Sequence, residues 1–134
     1  MEFSSRRQEP ARVLARDGDA DLALLAVTPR TLPAPPLSGA ARAGEPVTLS
    51  GCPGGACFAL AAGRITGVFR PLLGVPLVQM RAKVLPGSSG GPVVDDAGRI
   101  LGLVAYRDLR APGLAYFIPI DAARPLLTAS LRSP

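Results

Sequence analysis

The chain has 134 residues, a formal net charge of +5, and 48% apolar against 19% charged side chains. This is one domain's worth of a globular chain, with enough apolar residues for a real core. The basic excess is almost wholly arginine, scattered along the chain, with few aromatics, so nucleic acid is excluded as a partner: its binding usually needs a basic stripe interleaved with stacking rings. No apolar run reaches the roughly 18 residues needed to span a bilayer, and the N-terminus lacks a signal-peptide core.

The 15 Gly and 15 Pro residues point to many turns and hence to β structure. From Met1 to Val27 the chain reads as extended pieces broken at Gln8-Glu9-Pro10 and at Arg16-Asp17-Gly18-Asp19. Ala11 to Leu14 and Leu22 to Val27 are expected as neighbouring strands joined by an acidic turn. Asp17, Asp19 and Asp21 invite a calcium-loop reading. It fails because Leu22 stands where that loop needs glycine and Thr28 where it needs a carboxylate.

Thr28 to Gly44 contains Pro29, Pro33, Pro35 and Pro36 and is expected as a linker that cannot pair as a central strand. Beyond it, Val47 to Ser50, Phe58 to Phe69, Leu72 to Val84, Pro92 to Val94, Ile100 to Tyr106 and Leu114 to Ile120 are apolar segments separated by turn residues. Six short strands of this kind fit a closed antiparallel barrel, from about Gly44 to Ile120. Asp121 follows as a candidate N-cap, and Ala122 to Leu131 reads as a helix with Leu126, Leu127 and Leu131 on one face and Arg124 and Arg132 outside. The alternative is a frayed amphipathic tail.

Cys52 and Cys57 bracket Pro53-Gly54-Gly55-Ala56. The spacing suits either a disulfide across a turn or two free thiols. Zinc needs more Cys or His ligands than the chain holds, a redox role calls for closer C-x-x-C spacing, and no metal or cofactor is expected.

The stretch Pro86-Gly87-Ser88-Ser89-Gly90-Gly91-Pro92 lies between two apolar runs. A hydroxyl nucleophile needs a tight turn with backbone N–H groups free for an oxyanion, and glycines supply such a turn. A Gly/Ser cluster between strands is otherwise simply a turn. The G-x-S-x-G elbow of α/β-hydrolases is the other catalytic reading, but it must lead into a helix and needs a later histidine, and Pro92-Val93-Val94 reads as a strand.

The segment Gln79 to Gly91 resembles the nucleophile segment of HtrA-type proteases, a branch of the trypsin-like (chymotrypsin-fold) family. Asp21-Leu22-Ala23-Leu24-Leu25 resembles the family's triad-aspartate segment. Val47-Thr48-Leu49-Ser50-Gly51 with Gly63-Arg64-Ile65-Thr66-Gly67 is similar to the strands that open its second barrel, and Tyr116-Phe117-Ile118-Pro119 to its closing strand. The resemblance implies an all-β chymotrypsin-like fold: residues 1–28 a remnant of the first barrel, 29–43 a linker, and 44–134 a complete second barrel with its closing helix. It implies serine endopeptidase activity through an acyl-enzyme, with Ser89 as nucleophile and the N–H groups of Gly87 and Ser89 as the oxyanion hole. Asp21 is then either the carboxylate that orients a histidine or a polar residue at a strand head. Val84, Leu85 and Ala115 would line a small aliphatic pocket for a peptide or protein substrate. Arg81 stands where relatives usually carry Asp and Lys83 where they carry a small residue, so Lys83 alternatively favours an acidic side chain.

The sequence contains no histidine. The expectation is therefore a truncated or incomplete form that is inactive alone, with a missing N-terminal segment or a second copy covering open strand edges. The alternative is a pseudoprotease kept as a binding or scaffolding module. The resemblance suggests the bacterial periplasm, cell envelope or secretion.

Overall fold

The computed structural model describes residues 8–29, 33–55, 57, 59–69, 74 and 76–132. They fall into two units, one comprising residues 35–122 and the other residues up to 34 together with those from 123 onward.

In the smaller unit, β1 (Arg12–Asp17) and β2 (Leu22–Ala26) form an antiparallel pair that runs from Asp17 opposite Leu22 to Arg12 opposite Ala26. The connection turns tightly because the Asp17 carboxylate accepts the N–H groups of Asp19 at 3.1 Å and Ala20 at 3.0 Å, an Asx turn. Asp21 enters β2 from a left-handed backbone, φ 55°, which Asp tolerates better than most side chains.

Six strands make the larger unit: β3 (Pro46–Gly51), β4 (Ala59–Phe69), β5 (Leu77–Ala82), β6 (Pro92–Val94), β7 (Ile100–Arg107) and β8 (Leu114–Pro119). They close into an antiparallel barrel in the order β3-β4-β5-β8-β7-β6, with β6 returning to pair with β3. All six expected strands are present. β5 is shorter than the apolar run that announced it: Lys83 and beyond leave the ladder for the turn, and residues 70–73 and 75 lie outside the described residues, as does Phe58 before β4.

Side-chain alternation fills the barrel. Val78, Met80 and Ala82 of β5 and Ala115 and Phe117 of β8 point inward and are buried, with Ile65, Leu101 and Val93 among the fully buried residues. The outward side chains of the same strands form a lateral chain of contacts. Thr66 Oγ1 lies 2.8 Å from Gln79 Oε1, Gln79 Nε2 donates to the Tyr116 hydroxyl at 2.8 Å, and the Tyr116 ring stacks on Tyr106 with centroids 4.9 Å apart.

Among its described residues the proline-rich segment forms no strand, as expected, and joins the barrel through an isolated bridge: Ile100 N–H donates to the Pro36 carbonyl and Ser38 N–H to the Ile100 carbonyl, both at 2.9 Å, a one-residue parallel bridge at Leu37. Proline lacks an N–H but keeps its carbonyl, so Pro36 serves as acceptor while Ser38 donates.

The C-terminal helix exists as a 3-10 turn, Ile120–Ala123, with Asp121 in its first turn, followed by α1 (Arg124–Arg132). It packs against β1 and β2, and its half-buried positions are Leu126 and Ser130, one turn apart. Leu131 is 87% exposed and Leu127 also lies at the surface, so the apolar face expected from Leu126, Leu127 and Leu131 is rotated by about one residue. Among the described residues no helix is long and apolar enough to cross a membrane.

Candidate active site

After Ala82 the chain leaves β5, buries Val84 in the barrel and turns back through Leu85 to Gly91 to start β6. The turn is built from local backbone bonds: Ser88 N–H donates to the Leu85 carbonyl at 3.2 Å and Gly91 N–H to the Ser88 carbonyl at 3.1 Å. It is then sewn to β7, where Gly90 N–H reaches the Val104 carbonyl and Val104 N–H the Gly91 carbonyl, each at 2.8 Å.

Glycine is required at two of these positions. Gly87 has φ 96°, in the left-handed region, and a Cβ there would run into the Cys52 carbonyl. At Gly91 a Cβ would collide with the Ser50 carbonyl. Cys52 N–H in turn donates to the Gly87 carbonyl at 3.3 Å, so the end of β3 supports the turn from below. Cys52 and Cys57 are joined as a disulfide across the Pro53–Gly55 turn.

The two serines face opposite ways. Ser88 is 4% exposed and packed against Gly51, whereas Ser89 is exposed. The Ser89 hydroxyl donates to the Ala105 carbonyl at 3.2 Å. That carbonyl is available because the β7–β8 register slips between Val104 and Tyr106, leaving Ala105 unpaired in that ladder. The N–H groups of Gly87 and Ser89 donate to no acceptor among the described residues. Gly87, Ser89, Gly90, Ser50 and Cys52 border a depression of about 250 Å³.

A second depression of about 320 Å³ lies between the start of the turn and the facing ends of β7 and β8, walled by Lys83, Val84, Leu85, Arg107, Asp108 and Leu114 among others. Of the three candidate pocket residues, Val84 and Leu85 reach this depression, while Ala115 is fully buried in the barrel core and is not part of its wall. Arg107 and Asp108 escaped the sequence reading. Arg107 ends the apolar strand β7 and Asp108 follows it, and only the barrel's closure brings them opposite Lys83. Arg81 is exposed and opposite Arg64, whose guanidinium turns aside to donate to the Gly44 carbonyl at 2.6 Å.

Asp21 stands exposed at the head of β2 in the smaller unit. Asp95, in the β6–β7 hairpin, is the buried carboxylate of the larger unit. Its Oδ1 accepts the N–H groups of Arg99 and Ala97, each at 2.9 Å, and its Oδ2 meets Arg99 Nε at 2.8 Å. The Arg99 backbone N–H foremost, then its side chain and the Ala97 N–H, hold the Asp95 carboxyl below the usual range against the opposing effect of burial. It serves the turn and has no place beside Ser89.

The sequence matches the trypsin-like peptidase domain over residues 2–103. Among curated proteins it is 30% identical to a probable periplasmic serine endoprotease, DegP-like, of Pseudomonas savastanoi pv. phaseolicola and 32% identical to one of the same name from Hahella chejuensis. Each match takes in 92% of this chain, which spans only 27% and 28% of those relatives. Among solved structures, the HtrA-type protease AlgW with decapeptide superposes with TM-score 0.87 at 27% identity, over 97% of this chain and 43% of that one. An M. tuberculosis protease in its active form superposes with TM-score 0.88 at 24% identity, over 98% of this chain and 63% of that one, a likeness of fold. The closed barrel, the glycine-built serine turn and these matches agree: the chain belongs to the trypsin-like peptidase family, as an HtrA-type member with the chymotrypsin-like fold.

Proposed function

We propose that this chain is the nucleophile-bearing part of an HtrA-type serine endopeptidase. The observation that carries the proposal is the turn at Ser89: its hydroxyl is exposed and weakly engaged, and the N–H groups of Gly87 and Ser89 have no acceptor among the described residues. Ser89 Oγ attacks the scissile carbonyl and forms the Oγ–C bond, while its proton passes to a base. The two N–H groups receive the oxyanion, the leaving amine departs with that proton, and water then releases the acyl group. Asp21 holds the base in its working tautomer.

The base in this reading is a histidine from outside these 134 residues, which contain none. Without it, turnover falls by on the order of a millionfold, leaving only what the oxyanion donors and substrate binding supply. The substrate is a peptide or protein, a reading supported by the decapeptide held by the AlgW structure. The cell envelope is supported as the location by the word periplasmic in the relatives' names and by the Cys52–Cys57 pairing, since disulfides persist in oxidising compartments.

The absence of histidine equally favours a second reading, a barrel kept for binding without catalysis. One experiment decides between them. The chain is compared with a version extended by the genomic coding sequence upstream, using a peptide substrate and a serine-directed covalent probe. The extended form is expected to label and turn over and to lose both on Ser89→Ala, while the 134-residue chain stays silent. An extended form with no Ser89-dependent labelling would favour the binding module, and rapid turnover by the short chain would overturn the assignment of the base.

A further inference from the structure

We infer that the depression walled by Lys83 and Arg107 is a carboxylate-selecting subsite for the peptide held at Ser89. The inference rests on the protease reading above and names its substrate class: peptides that present a Glu or Asp side chain to this pocket.

The pocket shares two backbone segments with the serine turn. Leu85 lines it and accepts the Ser88 N–H through its carbonyl, and Arg107 lines it two residues beyond Ala105, whose carbonyl takes the Ser89 hydroxyl. A peptide reacting at Ser89 therefore has this depression as one of the adjoining recesses of the same unit.

Lys83 and Arg107 are both exposed, and among the described residues neither takes part in an ion pair or a side-chain hydrogen bond. The single carboxylate in the wall, Asp108, caps the following loop through Oδ1, which accepts the N–H groups of Arg110 at 2.8 Å and Ala111 at 3.3 Å, and contributes one negative charge. Two cations against one anion leave the recess with a positive balance.

The rest of the wall includes Leu85, Leu109, Pro112, Gly113 and Leu114, a largely apolar surface. Glutamate matches this layout, with methylenes for the apolar wall and a terminal carboxylate for the two cations. A purely aliphatic side chain would leave the excess positive charge unmatched and gain nothing from it. Arginine at 107 also offers a planar, two-pronged donor that fits a carboxylate, and lysine at 83 adds a point charge.

The test is a titration of the isotope-labelled 134-residue chain with short N-acetylated peptides, read by NMR at the amides of Leu85, Gly113 and Leu114 in the pocket and of Gly87 and Ser89 in the turn. Peptides ending in Glu, Gln or Leu with a free carboxylate, and in Glu amide, separate a side-chain carboxylate from a terminal one. Both Glu peptides are expected to bind about two- to fivefold more tightly than the Gln and Leu peptides, the size of a partly exposed charge pair. That advantage should shrink as salt is raised, in the unsubstituted chain, and disappear in Lys83→Gln and Arg107→Gln. Equal affinity for Glu, Gln and Leu peptides, with shifts at Gly87 and Ser89, would overturn the carboxylate subsite and leave the protease reading standing. Tight binding by every free carboxylate but not by Glu amide would overturn side-chain selection in favour of a chain terminus. No shift at Gly87 or Ser89 with any peptide would overturn the protease reading itself.

Discussion

The barrel and the β1–β2 unit are built from the same material, short antiparallel strands with alternating apolar side chains, and they reach very different degrees of burial. In the barrel β3 pairs with β4 on one side and β6 on the other, so that every strand has two neighbours. The inward positions of β5, Val78, Met80 and Ala82, are then sealed from water. Among the described residues of the smaller unit β1 and β2 pair with each other, and the same alternation leaves Leu22 and Leu24 half-buried and Leu14 and Leu25 exposed. Ala20 is the only described residue of that unit in the buried class. A strand pattern earns its burial only when the sheet closes or is covered: an isolated hairpin is marginal in water, whereas a closed barrel removes its edges.

The largest expected effect tests the barrel side of this contrast. Phe117→Ala removes the largest fully buried side chain among the described residues and should cost about 3–5 kcal/mol. Both tyrosines, Tyr106 and Tyr116, lie on the barrel and there is no Trp, so near-UV circular dichroism during urea unfolding follows this unit. A loss below about 1 kcal/mol would mean that the barrel interior is far looser than its geometry.

A smaller effect is expected at Asp95, where closure depends on one hairpin. Its carboxyl sits below the ordinary value of about 3.8, chiefly through the Arg99 backbone N–H, so the charged form is favoured in the folded state. The stabilisation is therefore complete above the ordinary carboxylate range and is lost as the pH falls through the lowered value. Asp95→Asn should reduce stability at neutral pH by less than Phe117→Ala and flatten the decline of stability in acid. Identical acid limbs in the two proteins would remove Asp95 from the account.

The smallest effect belongs to the other unit. Leu131→Gln changes a side chain that is 87% exposed and should leave the thermal midpoint by far-UV circular dichroism nearly unmoved, within about 0.5 kcal/mol. A loss above about 1.5 kcal/mol would show that this face of α1 is covered in solution, and the contrast between the two units would narrow.

The barrel was legible in the amino-acid order because its signals are local. Period-two alternation and punctuation by Gly and Pro mark each strand, and Gly87-Ser88-Ser89-Gly90-Gly91 announces a turn whose glycines are required by the Cys52 and Ser50 carbonyls. The helix was legible as a helix, but its buried face was not: Leu131 is as apolar as Leu126, and only the position of β1 and β2 selects between neighbouring faces. The Pro36–Ser38 bridge was missed for a similar reason, because a proline-rich segment carries no strand pattern and pairs only where Ile100 offers it a partner.

By itself, then, the sequence determined the six strands, their turns, the serine on its glycine-built corner and the lack of any histidine, all of which depend on residues close together in the chain. Tertiary structure alone decided that the Ala105 carbonyl meets the Ser89 hydroxyl and that Arg107 stands across a recess from Lys83. Those meetings join residues 16 and 24 positions apart, and they arise from barrel closure and from a bulge in β7 that turns one carbonyl out of its ladder.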